Sequence, residues 1–209
     1  QKMIFWELEL ESLVDPGMIE IFESQIKEAN SLLSKFISKS YESWMNNPAV
    51  APELSHTLFK NKVKPLLKEN KPTLLLVIDN LRMDQWKTIE PLLADFYQKE
   101  KEETYYSILP TATQYARNAL FSGCTPLKIS ELYPQWWKND TDESGKNLFE
   151  KELLQAQLKR LNIDGKMSYH KITNLKNGKL LAKSLNNHKD EKLNTIVYNF
   201  VDMISHAKS

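Results

Sequence analysis

Apolar residues recur at intervals of three, four and seven along the first part of the chain: Ile19, Phe22, Ile26, Ala29, Leu33, Phe36, Ile37 and Trp44. That spacing makes one apolar face of a long helix. Asp15-Pro16 predicts its start, with Asp as N-cap and Pro at the first helical position, and Asn46-Asn47-Pro48 ends it. A second helical stretch is predicted from about Pro52 to Lys68, with Leu54, Leu58, Val63, Leu66 and Leu67 inward and Pro65 as a kink. Residues 1–70 carry no enzymatic motif and read as a helical structural or coupling module.

The pattern then changes. Thr73-Leu74-Leu75-Leu76-Val77-Ile78-Asp79 is a continuous apolar run too short for a typical helix, which is how a strand buried on both faces of a parallel sheet reads. A helix is predicted from about Asp84 to Lys99, with Trp86, Ile89, Leu92, Leu93 and Phe96 inward. A strand follows around Thr104 to Leu109, then helices from about Thr113 to Ser122 and from about Ser144 to Leu161. Lys166 to Ile172 and Leu193 to Val201 read as further strands. Strands alternating with helices imply an α/β fold over residues 71–209, a mostly parallel sheet sandwiched by helices.

Composition narrows the classes. Hydrophobic residues make up 41% of the 209, enough for one substantial core. With 28 basic and 27 acidic residues the formal charge is +1, so bulk electrostatics point to neither a nucleic-acid nor a membrane partner. Cys124 is the sole cysteine, which rules out an intrachain disulfide and any multi-cysteine zinc cluster and suits the cytoplasm. No apolar run approaches the roughly 20 residues of a membrane span. Acidic residues interrupt the opening segment, unlike a signal peptide. The chain lacks an initiator methionine and reads as a piece of something longer.

Open parallel sheets bind ligands beyond the carboxyl ends of their strands. Three polar clusters fall there: Asp79-Asn80, Thr111-Ala112-Thr113, and Asp202 with His206. Asp202 and His206 have the i, i+4 spacing of one helical face, and both residue types ligate zinc. Taken alone, the ordinary reading is an N-cap Asp followed by a surface His. Asp79 taken alone is a helix-capping residue. Thr113 opens a predicted helix, where free N–H groups and the dipole favour a phosphate; taken alone it is a plain N-cap. Jointly they are the residue types that zinc-assisted phosphoryl transfer needs.

Val77-Ile78-Asp79-Asn80-Leu81-Arg82 resembles the first-strand metal-ligand motif of the alkaline phosphatase superfamily. Pro110-Thr111-Ala112-Thr113, continuing to Ser122-Gly123, resembles the nucleophile segment of its nucleotide pyrophosphatase branch, and that register selects Thr113 over Thr111. Asn199 to His206 resembles the family's Asp-x-x-x-His zinc motif. The details are most similar to the PglZ domain as it occurs in PorX-type response regulators, behind a receiver domain and a helical linker. The resemblance covers nearly the whole chain and implies a linker over residues 1–70 and an incomplete, alkaline-phosphatase-like PglZ domain over residues 71–209. It further implies two zinc ions, phosphodiesterase or phosphatase action on nucleotides or oligonucleotides, and a regulatory link to type IX secretion. Sensor-kinase and sigma-factor-type signalling partners are implied with it. Asp79 and Thr113 would share one metal, with Thr113 attacking phosphorus, and Asp202 and His206 would hold the other. Arg82 and Arg117 are candidate phosphate contacts, but an exposed Arg near a helix start is more often solvated or salt-bridged, and both stay outside the expected site.

The family completes its site with an Asp-His pair and a further His later in sequence. Here His56, His170 and His188 precede the Asp202 motif, and the chain stops three residues after His206. The expectation is therefore a truncated site: weak zinc binding and little activity from these 209 residues alone. A sheet edge left open, or the long helix, would serve a homodimer. A receiver domain is rejected, because everything before Asp79 reads as helix and supplies no earlier acidic strand. The rival is a non-catalytic PglZ-like module acting in signalling or protein interaction. A sulfatase-like relative would need Cys or Ser where Thr113 stands; a phosphomutase-like one stays open.

Overall fold

A computed structural model of the chain describes residues 2–12, 16–68, 71–139, 142, 145 and 147–199. The elements in chain order are α1 (Lys2–Ser12), α2 (Pro16–Asn46), α3 (Ser55–Leu58), β1 (Thr73–Ile78), α4 (Met83–Leu93), α5 (Thr113–Ser122), α6 (Pro126–Leu132), α7 (Glu150–Arg160), β2 (Met167–Ile172), α8 (Leu175–Ser184) and β3 (Leu193–Tyr198). A π-helical turn (Phe59–Val63) and two 3-10 turns (Leu66–Lys68 and Leu185–His188) supplement them. They divide into two compact units: residues 1–52 with 81–102, and residues 53–80 with 103–209.

The first unit is helical. α2 spans about 46 Å at 1.5 Å per residue and buries Phe22 and Trp44, with the rings of Phe36 and Tyr41 edge-on to Trp44 at 5.5 and 6.4 Å. Its predicted face is only partly used, since Ile19, Leu33 and Phe36 stay exposed. The predicted cap, Asp15, lies outside the described residues. α4 ends at Leu93 rather than near Lys99, two residues past Pro91, and Phe96, expected inward, is exposed. A lattice of ion pairs links the nearly buried Lys87 to Glu90 and Glu102, and the exposed Lys99 to the same two carboxylates, at 2.6–3.3 Å.

The second unit holds the sheet. Its three described strands are all parallel, in the order β1-β3-β2, with Leu75 and Met167 sharing the core-facing side with Leu193 and Val197. β3 lies between two partners, and its first five residues are buried. Phe59, Phe121, Ile129, Leu153 and Leu154 complete the core, each fully buried. Burial on that scale contributes roughly 1.5–3 kcal/mol per side chain before entropy is counted. α8 lies against the other face, with Gly178 close to Ile172 and Tyr198.

β1 departs from its expected burial on both faces. Leu75 and Val77 meet the core, whereas Leu74 and Leu76 are about half exposed, at 49% and 50%. Among the described strands β1 has a single neighbour, β3, which accounts for the thinner cover. The strand predicted near Thr104–Leu109 is reduced to one bridge between Leu54 and Tyr106. There the Ile108 N–H donates to the Ser55 hydroxyl at 3.0 Å instead of to a neighbouring strand. The helical stretch before β1 breaks where Pro65 removes a donor and crowds the preceding turn. It widens into the π turn, with Lys64 N–H reaching Phe59 O at 2.8 Å, and resumes as a 3-10 turn. The helix expected from Ser144 starts at Glu150. Ser144 itself lies outside the described residues, as does Val201, the expected end of the last strand.

Candidate active-site edge

Asp79 follows β1 directly and keeps the ladder, its N–H donating to Tyr198 O at 3.0 Å. Asn80 turns the chain at a φ of 59°, a left-handed conformation that Asn tolerates better than most residues. Asn199 follows β3 in the same way, with its N–H on Ile172 O at 2.8 Å. The two side chains therefore emerge together at the carboxyl edge of the sheet. Both are engaged by one cation. Arg117 Nη1 donates to Asp79 Oδ2 at 2.7 Å and to Asn199 Oδ1 at 2.6 Å.

The opposite side of the same guanidinium is taken by Glu150. Arg117 Nε donates to Glu150 Oε1 at 2.5 Å and Nη2 to Oε2 at 3.0 Å, a bidentate pair. Glu150 is 1% exposed and also accepts from Tyr169 Oη at 2.7 Å and Lys171 Nζ at 3.1 Å. Lys171 is in turn held by Asn147 O at 2.9 Å. Burial alone would lower the pKa of Arg117; its bond to Glu150, and the charges of Glu150 and Asp79, more than reverse that and raise it. Burial, reinforced by the Glu150 charge, likewise pushes the Tyr169 phenol up. Two cations and two carboxylates thus meet in a nearly closed site, the arrangement that makes buried charges tolerable.

The packing of α7 on α5 sets this geometry. Gln157 is buried and donates through Nε2 to Leu120 O and Phe121 O, at 3.0 and 2.9 Å, satisfying carbonyls at the end of α5. Two helical turns earlier on α7, Glu150 arrives beside Arg117. Ser122 O is taken by Arg160 of the last turn of α7. Both ends of α7 are therefore keyed to α5.

Thr113 is the first residue of α5, preceded by Ala112, whose side chain cannot cap it. It is half-buried, and among the described residues its hydroxyl has no hydrogen-bond partner. Arg117 lies four residues on, so the two share one helix face a turn apart. Thr113 thus stands on the α5 face that is tied to Asp79. Thr111, the alternative, is exposed and lies before the helix. Arg82 is engaged by Asp84 through two bonds of 3.0 and 2.5 Å, and that bond holds the Asp84 carboxyl at about 2.

The ordered core of this site includes Glu150 and Asn199, which the sequence pattern does not single out as site residues, and Arg117 is salt-bridged rather than a phosphate contact. A signal existed: Arg117 falls on the inner side of α5 by spacing from Thr113, and Asn199 closes a strand as Asp79 does.

The model of the BREX system PglZ alkaline phosphatase-like domain matches residues 58–209, and that of the PorX response regulator linker domain matches residues 1–45. The chain belongs to the PglZ family. No curated protein matches it. The PglZ part is α/β and alkaline-phosphatase-like, and the match ahead of it is to a response-regulator linker. Among the described residues no helix is long and apolar enough to cross a membrane. The superfamily is generally metal-dependent, and Asp79 and Thr113 are donors of suitable chemistry. Among the described residues, however, no group of three His, Cys, Asp or Glu side chains converges. Two oxygen donors fall short of the four a zinc ion requires. Asp202 and His206, the other expected ligands, lie outside the described residues.

Proposed function

We propose that the PglZ part of this chain is the phosphoryl-transfer core of a zinc-dependent phosphodiesterase acting on nucleotides or oligonucleotides. The observation that carries the proposal is the Thr113 hydroxyl at the start of α5, without a hydrogen-bond partner among the described residues and one turn from an arginine tied to Asp79. Thr113 Oγ attacks phosphorus in line: the new O–P bond forms, the bond to the leaving oxygen breaks, and the hydroxyl proton passes to solvent. The displaced oxygen takes up a proton and leaves as an alcohol; water then attacks the threonyl phosphodiester that remains, restoring Thr113 and releasing a phosphomonoester. The positive end of the α5 dipole, at Thr113, favours the charged equatorial oxygens. Asp79, Thr113, Asp202 and His206 are the proposed zinc ligands; bound zinc supplies the lowered hydroxyl pKa that makes such an attack feasible near neutrality.

The PorX linker match supports a regulatory setting. In this reading residues 1–70 couple an upstream receiver domain to the PglZ output from residue 71. Its partners are a sensor kinase and a sigma-factor-type protein, its compartment is the cytoplasm, its assembly a homodimer, and its output bears on type IX secretion. These 209 residues alone are expected to bind zinc weakly and turn over little.

The test is hydrolysis of a model phosphodiester by a C-terminally extended chain, with and without zinc, beside Thr113→Val. Loss of turnover by about a thousandfold or more in the variant is expected. A variant that keeps wild-type turnover would remove Thr113 as nucleophile. A folded, zinc-loaded wild type without turnover would favour a signalling module instead.

A further inference from the structure

The Arg117 cluster has more bonds than a phosphate-binding arginine needs. All three guanidinium nitrogens are engaged, by Glu150, Asp79 and Asn199, and the side chain is 6% exposed. Such a group offers no open face to a substrate. Each partner lies on a separate element: Glu150 on α7, Asp79 after β1, Asn199 after β3, with Arg117 on α5. Glu150 fixes two nitrogens of a planar fork, which leaves the third, Nη1, aimed in one direction. Tyr169 and Lys171 of β2 hold Glu150 itself. The strands and helices that frame the catalytic edge therefore meet at one guanidinium.

We propose that Glu150 and Arg117 are positioning residues that fix Asp79 and Asn199 relative to Thr113. Glu150 aims the guanidinium, and the guanidinium restrains the carboxyl ends of β1 and β3 one helical turn from the Thr113 hydroxyl. The catalytic consequence rests on the phosphodiesterase reading; the restraint itself does not. A misplacement of about 1 Å at a reacting group costs on the order of a hundredfold in rate. Glu150→Gln keeps the shape of the side chain but removes the charge and one acceptor, so Nη1 loses its aim. Tyr169→Phe removes only one of the donors that orient Glu150.

The experiment has two arms. In the extended, zinc-loaded protein, kcat of Glu150→Gln is expected to fall about 10- to 100-fold with KM changed less than about threefold, and kcat of Tyr169→Phe a few-fold. Rates are taken per folded molecule, so a loss of fold alone leaves kcat unchanged. In the second arm, hydrogen exchange is followed in the 209-residue chain. Amides at residues 79–80 and 199 and the Arg117 Nε–H are expected to exchange at least about tenfold faster in Glu150→Gln, while Leu153 and Leu154 keep their protection. If Glu150→Gln does not fold, Tyr169→Phe carries both arms: a few-fold change at the same amides supports the restraint, and none overturns it. Wild-type turnover with unaltered kcat in both variants would overturn the catalytic role. If the wild type has no turnover, the phosphodiesterase reading fails separately, and unchanged exchange at residues 79–80 and 199 would still sink the restraint.

Discussion

Gly123 ends α5 at a φ of +63°, a conformation in which a side chain is strained, and a Cβ there would collide with the Gln157 amide. Gln157 cannot retreat without giving up Leu120 O and Phe121 O. Gly123→Ala is therefore expected to cost about 2 kcal/mol or more, combining left-handed strain with loss of the side-chain cap. Urea unfolding checks it: a midpoint shift below about 0.5 kcal/mol equivalent would mean that Gln157 repacks freely. This residue belongs to the same argument as Glu150. The contact of Gln157 with the end of α5 sets the register that delivers Glu150 to Arg117.

At the scale of elements, α8 is capped by Asn174, whose Oδ1 accepts from Asn177 N at 2.8 Å. Asn174→Ala removes that cap and should cost about 1 kcal/mol. The readout is faster amide exchange over 175–178 without change in β3; equal acceleration of both would show that the helix and the sheet open as one. The sequence reading did not anticipate α8, because Gly178 and scattered lysines dilute its apolar spacing, nor α6, although Thr125-Pro126 is a good N-cap signal. It did find β1, β2 and α5 within a residue, since continuous apolar runs and a Gly terminator are local signals. The 104–109 strand failed because strand pairing is not local: Ser55, far back in the chain, takes the N–H of Ile108. The candidate site divides likewise. Asp79 and Thr113 are legible as strand-end and helix-start residues. Glu150 is not, since the register of α7 against α5 decides whether that acid faces solvent or Arg117.

Across the whole molecule, the two units carry different titrating groups, and acid should affect them in sequence. In the second unit, burial lowers the pKa of His56 against the opposing pull of Glu53. Burial also lowers that of His170, whose ring faces His188 at 4.8 Å; the His188 and Lys151 charges act in the same direction and Glu191 against it. Folded histidines with pKa below the ordinary 6.5 leave the unfolded chain binding more protons. Their stability is present above that value and is lost as pH falls through it toward the folded pKa. Carboxylates behave in the same sense but lower on the scale. In the first unit the bonds of Glu90 to Lys99 and of Glu102 to Lys87 lower both pKa values, so that lattice persists until pH drops below the ordinary carboxylate value of 4.5. The expected result is a fall in thermal midpoint between about pH 7.5 and about pH 5.5, assigned to the second unit by exchange at β2 and β3. The first unit should hold its protection over that range. His56→Gln combined with His170→Gln should flatten the slope. An unchanged slope would locate the linkage outside these two histidines.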